Sequence, residues 1–294
     1  MTVLPESVQK STILDEIAAK TRLRVARAKE NAPLDLVRSK ALGVCKTKPY
    51  KPLDLSAKQW TDGEAVLTAF PFEKALAPPG LSFICEVKKA SPSKGIISEN
   101  FPYLDIAKEY EAAGAATISV LTEPDFFLGS DLYLQEIAAK ANIPVLRKDF
   151  IVDSYQIYEA KLLGAQAVLL IATLLDTKAL EAYVKIASEL GLSALVEIHS
   201  EAEAEQALEA GARIIGINNR NLKTFKVDTG VTARLKKLIP AGIITVAESG
   251  IRSADDAREM KKIGVDAVLI GESLMRAADK KQFLAELKKA AGEN

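Results

Sequence analysis

AGAATISVL at 113–121, LGAQAVLLIA at 163–172, AGARIIGIN at 210–218 and IGVDAVLIG at 263–271 are four versions of one pattern. A helix ends in a small or aliphatic residue, a glycine follows, then a small residue, then a strand. Glycine is expected there because the position after the last helical turn needs a positive φ. The glycines at 114, 164, 211 and 264 are 50, 47 and 53 residues apart. A single βα unit takes about 25 residues, so each interval holds two units.

Filling in the missing strands gives SFICEVK (82–88), ATISVL (116–121), PVLRK (144–148), AVLLIA (167–172), SALVEI (193–198), RIIGIN (213–218), IITVAE (243–248) and AVLIG (267–271). The helical stretches between them carry start signals. Ser200-x-x-Glu203 and Ser253-x-x-Asp256 read as capping boxes, and Asp153 and Thr177 as N-caps. Short apolar strands alternating with helices predict a parallel sheet covered on both faces. Eight such units in about 210 residues fit a closed α/β barrel, (β/α)8, better than an open doubly wound sheet. The turn after the first strand, KKASPSKG, is also not the G-x-G-x-x-G of dinucleotide-binding sheets.

Residues 1–80 stand outside the pattern and are expected to form an N-terminal helical extension on a barrel of residues 81–294. STILDEIAAKTRLRVARAKE predicts a helix starting near Ser11 or Thr12, with Leu14, Ile17 and Ala18 on one face. A looser stretch follows, with Pro33, Pro49, Pro52, Pro71, Pro78 and Pro79. The extension can close the bottom of the barrel or cover its mouth, and different segments can do each.

Composition removes several function classes. The 294 residues carry 39 Lys+Arg against 39 Asp+Glu, so no charge imbalance points to nucleic acid or an anionic membrane. The longest apolar stretch, Ala167 to Leu175, is about half the ~20 residues of a membrane-spanning helix. MTVLPESVQK lacks the basic start and apolar run of a signal peptide. Cys45 and Cys85 form neither a disulfide framework nor a zinc motif. A reduced, cytoplasmic protein is the expectation.

In a barrel of this kind chemistry sits at the C-terminal strand ends. The first strand ends in Glu86 and Lys88, the third in Lys148, the fifth in Glu197, the sixth in Asn218 before Arg220. The seventh ends in Glu248 and Ser249, and the eighth in Gly271 before Glu272 and Ser273. Alternation puts Glu86 and Lys88 on the face of Ile84, Glu197 with Leu195, and Lys148 with Leu146. Charges inside apolar strands are expensive unless paired, so their recurrence at the strand ends points to an acid–base set. A partly desolvated lysine is expected to have its pKa lowered and a glutamate raised, with neighbouring opposite charges opposing both. Gly250 and Gly271 stand in the two loops where barrels commonly bind phosphate. A short helix after Gly271 would add its dipole there. The one histidine, His199, reads as a loop or cap residue, Cys85 as core facing the helices, and Trp60 as uninformative.

These segments resemble the indole-3-glycerol phosphate synthase family. The likeness is carried by FICEVKKASPSKG (83–95), SVLTEPDFFLGS (119–130), PVLRKDFIVDSYQI (144–157), LVEIHSEAE (195–203), IIGINNRNLKTF (214–225), VAESGI (246–251) and IGESLMR (270–276). ILDEIAAK (13–20) is similar to the family's additional N-terminal helix. The resemblance implies a phosphorylated, anthranilate-derived substrate, 1-(2-carboxyphenylamino)-1-deoxyribulose 5-phosphate. Its ring is closed with loss of CO2 and water, by a monomeric enzyme with no metal and no organic cofactor. It further implies Lys148 as general acid, Glu197 as base, Lys88 as a second proton donor, and Glu86, Asn218 and Glu248 as orienting groups. Ser91 and Arg220 resemble the carboxylate contacts, and Pro92, Phe127, Phe150 and Leu169 the aromatic pocket. Ser249, Gly250, Gly271, Glu272 (through its backbone N–H) and Ser273 resemble the phosphate cradle. Two alternatives are a phosphoribosylanthranilate isomerase-like enzyme, which would need a cysteine base in the mouth, and a barrel that binds a phosphorylated ligand without converting it.

Overall fold

The computed structural model describes residues 12–47 and 70–292. Eight parallel strands close into a barrel in chain order. They are β1 (Ser82–Val87), β2 (Thr117–Leu121), β3 (Val145–Lys148), β4 (Ala167–Ile171), β5 (Ser193–Ile198), β6 (Ile214–Asn218), β7 (Ile244–Glu248) and β8 (Ala267–Ile270). Closure is made by β1, which pairs with β8 through Ser82 and Ala267 on one side and with β2 through Ile84 and Thr117 on the other. Each expected strand is present, trimmed by one residue at one end where the chain leaves the ladder, except Ser193–Ile198, which matches its expected bounds.

The barrel interior and the layer outside it separate by alternation. Ile84, Leu146, Leu169, Leu195, Val246 and Leu269 form the inner cluster, whereas Cys85, Val168, Val196 and Val268 belong to the layer under the helices. Glycines 114, 164, 211 and 264 all have φ between 78° and 91°, which ends the preceding helices as the repeat requires.

Helix starts need two corrections. The N-cap before α7 (Thr177–Glu189) is Asp176, whose side chain accepts from Ala179 N, and Thr177 is the first helical residue. α6 (Tyr155–Leu162) has Ser154 at its N-cap, and Asp153 accepts from Tyr155 N one position earlier. The box at Ser253 before α10 (Ala254–Ile263) forms with both of its bonds. At α8 (Glu201–Glu209) only half does: Ser200 accepts from Glu203 N, but the Glu203 carboxylate turns to His199.

The extension divides its work between the two ends of the barrel. α1 (Ile13–Asn31) starts at Thr12 with a complete capping box to Asp15 and lies over the mouth end. There Arg24 reaches Asp149 at 2.8 Å and Glu123 at 3.8 Å, and Lys29 reaches Asp153 at 2.6 Å. Asp149 and Glu123 both follow C-terminal strand ends and are buried. α2 (Leu34–Thr47) packs outside, against α6. α3 (Pro71–Leu76) closes the bottom: Phe72 and Leu76 join the inner cluster. Beside them Glu73 binds Arg213 and Ser193, which lie at the N-terminal ends of β6 and β5. Pro49, Pro52 and Trp60 lie outside the described residues.

Phe72 is fully buried at the end of the barrel opposite the charged strand ends. Phe72→Ala should therefore lower the unfolding free energy by ~3–5 kcal/mol in urea titrations. The mouth is remote from it, so turnover per folded molecule should be unchanged.

Candidate active site

The charged strand ends meet in one cavity of about 400 Å³ at the C-terminal face. That volume suits a small ligand. Glu86, Lys88, Lys148, Glu197, Asn218, Arg220 and Glu248 all line it, with Ser91, Pro92, Phe127, Phe150, Leu169, Ser249, Gly250, Gly271, Glu272 and Ser273. All seventeen residues singled out in the sequence therefore come together.

At the centre is the Lys148 ammonium. Its Nζ lies 3.1 Å from Glu248 Oε2 and 3.8 Å from both Glu86 Oε2 and Glu197 Oε2. Lys88 Nζ is bound to the other oxygen of Glu86 at 2.5 Å, and Asn218 Nδ2 donates to Glu197 Oε1 at 3.1 Å. Every one of these side chains is mostly buried, so charge compensation decides their ionisation.

The expectation that burial lowers the lysine is corrected for Lys148. Burial does disfavour its charge, but the Glu248, Glu86 and Glu197 carboxylates outweigh this and hold the ammonium well above the usual lysine range. Glu86 is likewise pushed up by burial, yet Lys88 and Lys148 leave it below the ordinary carboxylate value. Glu248 follows the expected direction. Burial pushes it up to about 7, helped by the Glu197 and Glu86 charges and opposed by Lys148. Its Oε1 has no hydrogen-bond partner among the described residues, an arrangement that a neutral carboxyl tolerates better than a charged one.

Two glycines make room for these carboxylates. A Cβ on Gly216, which faces inward from β6, would collide with Glu248 Oε1. A Cβ on Gly271, just beyond β8, would collide with Glu86 Oε1 and stand 2.7 Å from Lys88 Nζ. In each case the obstructing atoms are the ends of flexible side chains.

At the end of β7 the backbone turns with positive φ twice in succession, 65° at Ser249 and 94° at Gly250. Serine in this region is uncommon, and such residues cluster at ligand-holding turns. Ser273, in the five-residue helix α11 (Glu272–Arg276), donates from Oγ to Ile251 O at 2.8 Å, which ties the β7 and β8 loops together. Across the mouth the Phe127 and Phe150 rings lie 5.8 Å apart between centroids. Arg220 is held from behind, its Nη1 donating to Phe225 O at 3.2 Å.

Sequence reasoning missed several members of the site. Ile13, Leu14 and Ile17 of α1 line the cavity. Asp149 accepts from Thr122 and lies beside the buried Arg147 guanidinium, so the residue after Lys148 anchors α1 while Lys148 points inward. His199 is a cap neighbour as expected, but its ring also stands between two carboxylates, Glu197 and Glu203. Cys85 faces the helix layer, and burial pushes its thiol well up, so it offers no base to the mouth. Among the described residues no cluster of metal-ligating side chains occurs, and no helix is long and apolar enough to cross a membrane.

The model of the family described as indole-3-glycerol phosphate synthase matches residues 14–287. A protein of that name from Ruminiclostridium cellulolyticum is 54% identical over 279 residues, 95% of this chain and 100% of the relative. Its namesake from Endomicrobium trichonymphae is 50% identical over 276 residues, 94% of this chain and 99% of the relative. Among solved structures, thiamine phosphate pyrophosphorylase from Pyrococcus furiosus superposes with a TM-score of 0.56 at 20% identity. That alignment covers 72% of this chain and 96% of the other, a likeness of barrel fold.

The shift of Glu248 sets a sign for stability. With its folded value near 7 against 4.5 in the unfolded chain, the native state binds the extra proton between those pH values. Native stability is then eroded as pH rises through that window. Glu248→Gln removes the term, so its stability relative to the parent should improve between about pH 5 and pH 8 in urea titrations. A constant difference across that range would show that Glu248 is ionised throughout.

Proposed function

The chain belongs to the indole-3-glycerol phosphate synthase family, carboxy-lyases of tryptophan biosynthesis, and from that premise we propose how its mouth carries the reaction. The substrate is 1-(2-carboxyphenylamino)-1-deoxyribulose 5-phosphate. Ring closure, loss of CO2 and loss of water convert it to indole-3-glycerol phosphate.

The observation that carries the reading is the Lys148 ammonium, 3.1 Å from Glu248 and 3.8 Å from Glu86 and Glu197, in one cavity with Lys88 and Arg220. Attack of the aromatic carbon on the C2′ carbonyl breaks aromaticity, so the carbonyl oxygen must be protonated as the bond forms. Lys148 supplies that proton. Its three carboxylate neighbours keep it charged until an acceptor arrives. The tetrahedral ring carbon then loses CO2, which restores the ring. Dehydration needs a proton delivered to the departing hydroxyl and one removed from the anilino nitrogen. Lys88 serves as the second donor and Glu197 as the base. Glu86, Asn218 and Glu248 hold these groups through the contacts described above.

Arg220 and Ser91 take the anthranilate carboxylate, and Pro92, Phe127, Phe150 and Leu169 enclose the ring. Ser249, Gly250, Gly271, the Glu272 N–H and Ser273 cradle the phosphate, a role supported by the consecutive left-handed turns at 249 and 250. We also propose that the protein acts as a monomer. We further propose that it works in the cytoplasm, with a small-molecule partner only and with neither metal nor organic cofactor.

Purified protein mixed with the substrate in EDTA should generate indole fluorescence. Lys148→Ala should lower kcat on the order of 10²-fold or more, since general acid catalysis is worth ~10²–10⁴. A loss below about fivefold would remove Lys148 from the acid role. Arg220→Ala should raise KM at least as strongly as it lowers kcat, and an unchanged KM would contradict its carboxylate contact. Folded parent protein giving no fluorescence would leave the mouth as a binding site for a phosphorylated ligand that it does not convert.

A further inference from the structure

His199 follows β5 directly, two residues beyond Glu197, and its ring is mostly buried. Nε2 stands 3.4 Å from Glu197 Oε1 and Nδ1 stands 3.4 Å from Glu203 Oε2. Both ring nitrogens are shielded from solvent and neither meets hydrogen-bond geometry among the described residues, so the two carboxylates act on the ring as charges at 3.4 Å. The outer carboxylate is itself fixed: Glu203 accepts from His199 N at 2.6 Å and from Thr173 Oγ1 at 2.9 Å. A ring clamped between two carboxylates in a partly desolvated pocket is stabilised as the imidazolium.

The two oxygens of Glu197 therefore have different surroundings. Oε1 faces His199 and accepts from Asn218, whereas Oε2 faces Lys148 and the cavity. We propose that His199 is a positioning residue of the reaction, its ring pinning Glu197 Oε1 so that Oε2 is turned to the cavity to take the substrate's proton. The inference rests on Glu197 being the base. It requires no new covalent step, because the imidazolium keeps its protons while Glu197 receives one from the anilino nitrogen.

The charges acting on His199 come from three elements: Glu197 on β5, Glu203 on α8 and Glu248 on β7. Lys148, on β3, lies beyond Glu197. Burial disfavours the imidazolium, but Glu203, Glu197 and Glu248 together raise its pKa above the ordinary value. A raised histidine holds its charge at low pH and loses it as pH rises through the folded value. Support for Glu197 should therefore be present at neutral pH and fade on the alkaline side.

The chain has one histidine, so its ring resonances titrate without ambiguity. In the intact enzyme the NMR midpoint of His199 should lie above ~6.5, and both Glu203→Gln and Glu197→Gln should lower it. His199→Asn and His199→Gln should each reduce kcat about tenfold near neutral pH while KM stays within about twofold, the scale of losing one charged contact in a partly desolvated site. Glu203→Gln, which keeps the histidine, should move the alkaline fall of kcat to lower pH.

A midpoint at or below ~6.5, or kcat within about twofold of the parent in both His199 variants, would overturn the role. A KM that rises in step with the loss of kcat would also overturn it, by marking a general disturbance of the mouth. Glu197→Gln separates the two levels. If that variant keeps parental activity, the base assignment falls and this inference with it. If it is inactive while both His199 variants turn over normally, only the inference falls.

Discussion

Three carboxylates converge on the inner face of the barrel because three strands end there, and without a cation among them their mutual repulsion in a buried space would be prohibitive. Lys148 is that cation, within 4 Å of Glu86, Glu197 and Glu248. The remaining charges are graded around it. Lys88 takes the far oxygen of Glu86, Asn218 donates to the far oxygen of Glu197 while His199 faces it at 3.4 Å, and Glu248 is left with an oxygen unpartnered among the described residues and a raised pKa. The same geometry that lets the strands close also sets Glu86 and Glu248 apart in how readily they give up charge.

The strand that carries Lys148 also connects the site to the extension. Alternation turns Lys148 inward and sends Arg147 and Asp149 outward, where Asp149 takes Arg24 of α1 and Arg147 takes Asp131 and Glu159. The covering helix is thus fastened one residue away from the central ammonium. At the other end Phe72 and the Glu73–Arg213 pair seal the barrel floor with groups that have no part in the mouth. Stability and chemistry are segregated to opposite faces, as expected of a barrel whose loops are long on one side only.

Much of this was legible in the sequence because it depends on local periodicity. Glycine at the helix ends, apolar runs of five or six residues and charges at their C-terminal ends are short-range signals, and they located the barrel and twelve of the seventeen lining residues, whereas Ser91, Pro92, Phe127, Phe150 and Leu169 were marked by the family resemblance alone. Pairings across long separations were not legible. Arg24 and Asp149 are 125 residues apart, and Glu73 and Arg213 140, so nothing local marks either pair. Nor did the sequence reveal that Glu203 would leave its capping box for His199, because the two arrangements use the same residues at the same spacing. The direction of the Lys148 shift was misjudged for a related reason: burial can be read from alternation, but the number of carboxylates around one ammonium depends on the closed barrel.

Gly216 and Gly271 present no side chain, and at each a volume is kept empty for another residue's charge. The atoms that would meet an added methyl are mainly the tips of Glu248, Glu86 and Lys88, which can swing aside while the backbone stays where it is. An alanine at either position would thus leave the backbone in place but turn buried carboxylates from their partners, at a cost in stability as well as in activity. The charge cluster itself therefore holds both positions as glycine, and a redesign of the barrel that filled either volume would unpair carboxylates that the fold has buried.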